Sequence, residues 1–293
     1  MDLLPLVLAF TVGAAIGSFL NVCVARWPAG ESVVSPRSRC PGCGHQIRWH
    51  ENVPVLGWLL LRGRCASCGG RISAQYPAVE LLVGLGWLAA VMAFGPTFTA
   101  LRVAVFGTVM AGIALTDAKH YLIPDGFTVF GLLWVLLTAV GGIFVEGASP
   151  FAGPADAVLG ACVGAGAISI IGWLGEVALR KEAMGFGDVT LMAVVGAALG
   201  PWRSLLTVFV GAALAAVVFL LVVIPVVKLR ARRAAPSTGA AAGAAGGVAT
   251  AEGDDEAGEL PQVPFGVFLA PAALLTLLWG TELLDWYMGQ FTV

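Results

Sequence analysis

The chain has 293 residues, of which 58% are hydrophobic and only 12% charged, with a mean hydropathy of +0.90. A soluble domain carries about 25% charged residues, so the composition excludes a water-soluble enzyme built round one large core. The formal net charge of −2 offers no basic excess for nucleic acid, and no such partner is expected. The expected class is an all-α polytopic membrane protein with about eight transmembrane helices and a small cytosolic zinc-knuckle insert. A spanning helix needs about 20 mostly apolar residues. Runs of that kind lie at roughly 4–25, 77–95, 99–117, 126–145, 156–178, 188–200, 203–225 and 264–284, the sixth short and Gly-rich. The first run lacks a basic leader and has a poor cleavage site at Gly17–Asn21, so it is expected to be retained as a helix.

Orientation follows from the Lys and Arg residues. Residues 26–76 hold Arg26, Arg37, Arg39, Arg48, Arg62, Arg64 and Arg71. With Lys119, Arg180, Lys181, Lys228, Arg230, Arg232 and Arg233, fourteen of the 16 basic residues fall in loops of one parity, leaving Arg102 and Arg203 on the other. The bias predicts both termini outside and the basic loops in the cytosol. The implied organisation is a first helix (1–25), a cytosolic zinc-binding insert (26–76), a transmembrane catalytic core (77–229), a disordered Ala/Gly-rich then acidic linker (230–262), and a last helix with the C-terminus (263–293). Small residues four apart (Gly13/Gly17, Gly160/Gly164, Gly196/Gly200) suit close helix packing in lipid.

Within the insert, Cys40-Pro-Gly-Cys43 and Cys65-Ala-Ser-Cys68 form two C-x2-C pairs, each followed by glycine. Four thiolates at this spacing suit one tetrahedral Zn²⁺ with no position left for water, hence a structural site. A redox dithiol pair or two disulfides are disfavoured by a reducing cytosol. His45 and His50 lie nearby, but four Cys already suffice. Cys23 and Cys162 lie in apolar runs and read as buried packing residues.

Asp117 and Asp188 lie at the edges of apolar runs, on the same side of the predicted topology, in TDAKHYLIPD and GFGD. Ionisable groups at such positions are costly and point to function. A carboxyl pair sharing one proton can deprotonate water and protonate a departing nitrogen, exchanging the two roles. A helix cap or boundary charge is the plainer reading for either aspartate alone. On helix-dipole grounds Asp188 is expected ionised and Asp117 protonated. His120 is a nearby candidate for touching substrate, Asp125 reads as a helix cap, and Asp156 falls on the far side. Glu80 reads as a boundary charge with a local Arg partner, or as a group orienting substrate or a methyl donor.

The chain resembles the prepilin peptidases, the type IV leader peptidase family of GxGD aspartyl proteases. The resemblance runs through GSFLNV (17–22), the knuckle, ENVPVLGWLLLRGRC (51–65), RIS…YPAVELL (71–82), TDAKHYLIPD (116–125), GFGDVTLMAVVGAALG (185–200) and PFGVFLA (264–270). It implies that Asp117 and Asp188 are the catalytic pair. The implied reaction removes a short basic leader from type IV prepilins or type II secretion pseudopilins at the cytosolic face of the bacterial inner membrane. It further implies S-adenosylmethionine-dependent N-methylation of the new terminus, at a site the sequence does not locate. The chain departs from the family pattern at Thr190, often Lys, and at Gln75, where the family has Arg. The competing reading is a polytopic transporter with intramembrane aspartates in a cation path; a methyltransferase whose aspartates bind an amine is a third.

Overall fold

The structure is a computed structural model and describes residues 2–145, 149–180, 184–227 and 264–290. The predicted linker at 230–262 lies outside the described residues, as does Lys181. The predicted eight apolar segments all form helices: α1 (Leu3–Arg26), α3 (Gln75–Phe94), α4 (Phe98–His120), α5 (Asp125–Val145), α6 (Pro154–Leu179), α7 (Phe186–Leu199), α8 (Pro201–Val218) and α9 (Gly266–Gly289). The insert contributes one short helix, α2 (Leu56–Leu60). A turn of π-helix at Phe219–Val223 carries α8 on to Val227. Seven of these helices are long and apolar enough to cross a membrane; α7, with 14 residues, is shorter.

Punctuation in the sequence sets the helix ends. Thr97 caps α4, its hydroxyl accepting the Ala100 N–H at 3.2 Å. Tyr121 ends α4 in the left-handed conformation, donating its N–H to the Asp117 carbonyl, and Pro124 precedes α5. Gly200 has φ +80°, a conformation that costs other residues strain, and Pro201 opens α8 directly after it. This makes a tight turn between the sixth and seventh apolar runs.

The glycines predicted to allow close packing sit at the two tightest interfaces. A Cβ on Gly13 would lie 2.7 Å from the Trp87 ring and one on Gly17 would lie 2.8 Å from the Glu80 Cα, so α1 and α3 pack almost backbone to backbone. Gly160 and Gly164 of α6 do the same against the backbone of Met192, Gly196 and Gly200 in α7. The short α7 is thereby enclosed: Leu191, Met192, Val194, Val195, Ala197 and Ala198 are fully buried. Cys23 is buried as expected, whereas Cys162 is exposed, because it projects from the outward face of α6.

The length of α7 fixes a depth. Its C-terminal end lies against the start of α6, where Gly160 meets Gly200, and its approach faces Gly172, where a Cβ would touch Met184. Residues 173–179 of α6 run on past that level, by about 10 Å at 1.5 Å per residue. Asp188, in the first turn of α7, is therefore recessed from the end of its neighbour.

The two basic residues on the sparse side are structural groups, Arg102 buried and Arg203 half-buried. The Arg102 guanidinium lies 4.2 Å from the Phe151 ring centroid and donates to the Ser149 hydroxyl at 3.4 Å. Arg203 donates to the carbonyls of Pro150 and Leu199 at 2.6 and 2.9 Å. Together they pin the 149–152 loop over the α7–α8 turn.

Candidate functional site

Three segments far apart in sequence converge at one end of the bundle. Asp117, only 6% exposed, ends the buried face of α4. Asp188, half-buried, lies in the first turn of α7, its N–H donated to Gly185. The start of α9 closes the site: Val267 donates its backbone N–H to Asp117 Oδ2 at 3.1 Å, and Gly266 packs against the same carboxyl. Ile123, from the loop after Asp117, joins the parts. A Cβ on Gly187 would lie 2.9 Å from Ile123, and one on Gly266 would lie 3.1 Å from it and 2.8 Å from Asp117 Oδ2. Neither glycine can be replaced without moving the carboxyl or the isoleucine. Asp117 and Asp188 are close enough for their charges to interact.

The head of α9 bears on the expected division of charge. Sequence reasoning gave the negative charge to Asp188, at a helix N-terminus. The structure places Asp117 at the N-terminus of another helix as well, with the Val267 N–H on its Oδ2, so the helix-dipole ground applies to both aspartates. Val267 and Gly266 were the residues the sequence argument missed. Their only signal was PFGVFLA, read as a motif and given no role.

The remaining candidates separate from the site. His120 is exposed at the end of α4, and Asp125 is exposed in the first turn of α5. Asp156 is exposed near Gly200, at the opposite end of α7 from Asp188. Thr190 bonds back to the Gly187 carbonyl at 2.9 Å. Glu80 is buried without the expected Arg partner: its Oε2 accepts the Val55 N–H at 2.7 Å, tying the insert to α3.

An apolar groove of about 490 Å³ runs beside α4. It lies between α3, α4 and α9 and is lined along α4 by Val103, Gly107, Ala111 and Ala114, a helical stripe whose next turn carries Asp117. Val267 lines the same groove.

The four knuckle sulfurs lie within 4.8 Å of one another, with Cys40–Cys68 and Cys43–Cys65 at 3.9 Å. Zinc–sulfur bonds of about 2.3 Å place tetrahedral sulfurs about 3.8 Å apart, so the cluster fits a metal such as zinc. The two halves repeat one another. Cys40 N–H donates to His45 and Gly44 N–H to Cys40; Cys65 N–H donates to Gly70 and Gly69 N–H to Cys65. Gly44 and Gly69 have φ +71° and +69°, which is why a glycine follows each pair. The N–H groups of Cys68 and Ser67 pull the Cys65 thiol down to about 6, while Cys43, despite the His45 N–H, is pushed up to about 11 by burial and the neighbouring sulfurs. His45 turns away to Glu51, 3.2 Å distant, and the Arg48 N–H and His45 hold that carboxyl below its ordinary range.

The description "Bacterial Peptidase A24 N-terminal domain" matches residues 11–94, and "Type IV leader peptidase family" matches residues 104–221. A Stutzerimonas stutzeri protein named prepilin leader peptidase/N-methyltransferase is 32% identical over 306 residues, 96% of this chain and 92% of that protein. The chain belongs to the type IV leader peptidase family. A relative of the same name from Myxococcus xanthus is 41% identical over 208 residues, 71% of this chain and 60% of that protein. One from Pseudomonas aeruginosa is 32% identical over 303 residues, 94% and 91% of the two chains. No solved structure matches the chain. Within this leader-peptidase chain the first match takes in α1, the insert and α3, and the second takes in α4 to α8. The head of α9, which donates to Asp117, lies beyond both.

Proposed function

We propose that the chain is a membrane aspartyl endopeptidase that removes the short basic leader from type IV prepilins or type II secretion pseudopilins, with Asp117 and Asp188 as the catalytic pair. The observation that carries this reading is the recessed pair itself, with Asp117 buried beneath the N–H groups of α9 and within charge range of Asp188. One carboxylate takes a proton from water as it attacks the scissile carbonyl, and the other protonates the departing nitrogen. The groove along α4 supports the substrate class, since its walls suit an apolar helix whose end unwinds at Asp117. The clustered arginines of the insert support a cytosolic site in the bacterial inner membrane. Zinc at Cys40, Cys43, Cys65 and Cys68 holds the insert together. S-adenosylmethionine-dependent methylation of the new N-terminus belongs to the same proposal, following the names of the relatives.

The test uses full-length wild type, Asp117→Asn and Asp188→Asn with a membrane-inserted prepilin, scoring leader removal and N-terminal methylation separately. Each Asn variant is expected to lose cleavage by at least about 10²–10⁴-fold while accumulating to wild-type level. Near-wild-type cleavage by either variant overturns the paired-carboxyl assignment.

A further inference from the structure

The insert carries a surface that neither the zinc cluster nor the aspartate site uses. Leu56, Leu59 and Leu60 of α2 are 57%, 56% and 80% exposed. Spaced i, i+3 and i+4, they form one apolar face of that helix. The opposite side is fixed inward: Gly57 is buried against Glu51, and the Trp58 indole N–H donates to the Ile72 carbonyl at 3.1 Å. A short helix in water has no reason to present three leucines.

The depth of α2 supplies the reason. Val55, immediately before it, donates to Glu80, the sixth residue of α3. α3 has 20 residues, about the length that just crosses the hydrocarbon core. The leucine face is therefore level with the second turn of a spanning helix, at the membrane boundary rather than in free solution.

The residues that follow are arginines without anions. Arg62 and Arg64 are exposed directly after α2, and Arg64 faces Arg71 across an antiparallel bridge at the second knuckle. Like charges placed opposite one another repel. No acidic side chain pairs with these three arginines among the described residues. A repulsive pair beside an apolar face at bilayer depth is complementary to a lipid interface, where phosphates lie just above the acyl chains.

We propose that the face formed by Leu56, Leu59, Leu60, Arg62, Arg64 and Arg71 is an interfacial membrane seat, with the leucines in the acyl boundary and the arginines on anionic phospholipid headgroups. The seat holds the insert down against the bilayer beside α3. It does not depend on the peptidase assignment.

The experiment places the photoreactive residue benzoylphenylalanine at Leu60 in the full-length, zinc-loaded protein, in nanodiscs of phosphatidylcholine with and without phosphatidylglycerol. Illumination is expected to yield lipid adducts, enriched for phosphatidylglycerol. In the triple variant Arg62→Gln/Arg64→Gln/Arg71→Gln that enrichment is expected to fall by more than about tenfold, at about fivefold per arginine near an anionic surface. Bound zinc is measured in each variant, so that an unfolded insert is recognised and the single variants are used in its place. Adducts to the chain's own acidic stretch 252–259, or water-exposed label without lipid adducts, overturn the proposal. So does lipid enrichment that the arginine changes leave unaltered.

Discussion

The insert and the helix bundle are held together by different physics. In the insert, most side chains are exposed and order comes from backbone turns, four sulfurs and a few polar ties such as Glu80 to Val55. In the bundle, α7 is enclosed beyond its first turn, and its fit to α6 depends on glycines that leave backbone against backbone. A region too small to bury a core uses a metal; a region already in lipid gains little from burying apolar atoms and uses close packing instead. The two should therefore fail separately.

The largest expected effect tests the bundle. Gly196→Leu would drive a side chain into the Gly160 backbone, where no flexible group can yield. Overpacking of this kind costs about 3 kcal/mol or more. Thermal unfolding of the purified protein should show a sharply lower Tm and loss of peptidase activity, while zinc per chain stays unchanged. An unaltered Tm would remove the argument from close packing.

The reverse experiment comes next. Cys65→Ser, or a strong chelator, should release about one metal ion and open the insert to trypsin at Arg37, Arg39, Arg64 and Arg71. Helical content and the main thermal transition of the bundle should persist. Joint collapse of both regions would show that the insert and the bundle are one cooperative unit.

A smaller effect lies at the joint between them. Glu80→Ala leaves the Val55 N–H without its acceptor, a loss of about 1–3 kcal/mol. Faster hydrogen exchange over 53–60, with α4 to α9 unaffected, is the expected signature; Glu80→Gln, which keeps an acceptor, should restore most of the protection.

The helices and the knuckle were legible because each rests on local pattern: apolar length, paired cysteines, and a glycine where the turn needs positive φ. That Asp117 and Asp188 fall at the same end of the bundle was legible only through charge bias and motif order. What sequence pattern could not show was the third partner, since Val267 acts through its backbone and an amide leaves no mark on residue type. Of the two readings left open for Glu80, the arginine partner failed for the same reason, since its carboxyl accepts the Val55 N–H instead. Arg102 and Arg203 counted as boundary charges in the topology, yet each is folded inward to hold a loop. A charge count registers where such a residue lies along the chain, not what its guanidinium reaches.

The smallest expected effect on stability bears on how the site receives its substrate. Gly107 lines the groove beside α4, and a Cβ there would come no closer than 3.8 Å to Leu274. Gly107→Leu therefore fills the groove without displacing the fold, and its helix propensity offsets part of any packing cost. If the groove holds the apolar helix of a prepilin, this variant should lower cleavage of the membrane-inserted precursor by about tenfold or more. A short leader-junction peptide that lacks the apolar segment should be cleaved as by wild type. Equal loss on both substrates would place the damage at the aspartates rather than in the groove. No loss on either would mean that the helix enters the bundle elsewhere. The comparison of substrates makes the test specific, because Gly107 lies nearly three helical turns, about 15 Å, before Asp117 on α4, and a bulky residue there distinguishes the two only if one of them uses the groove.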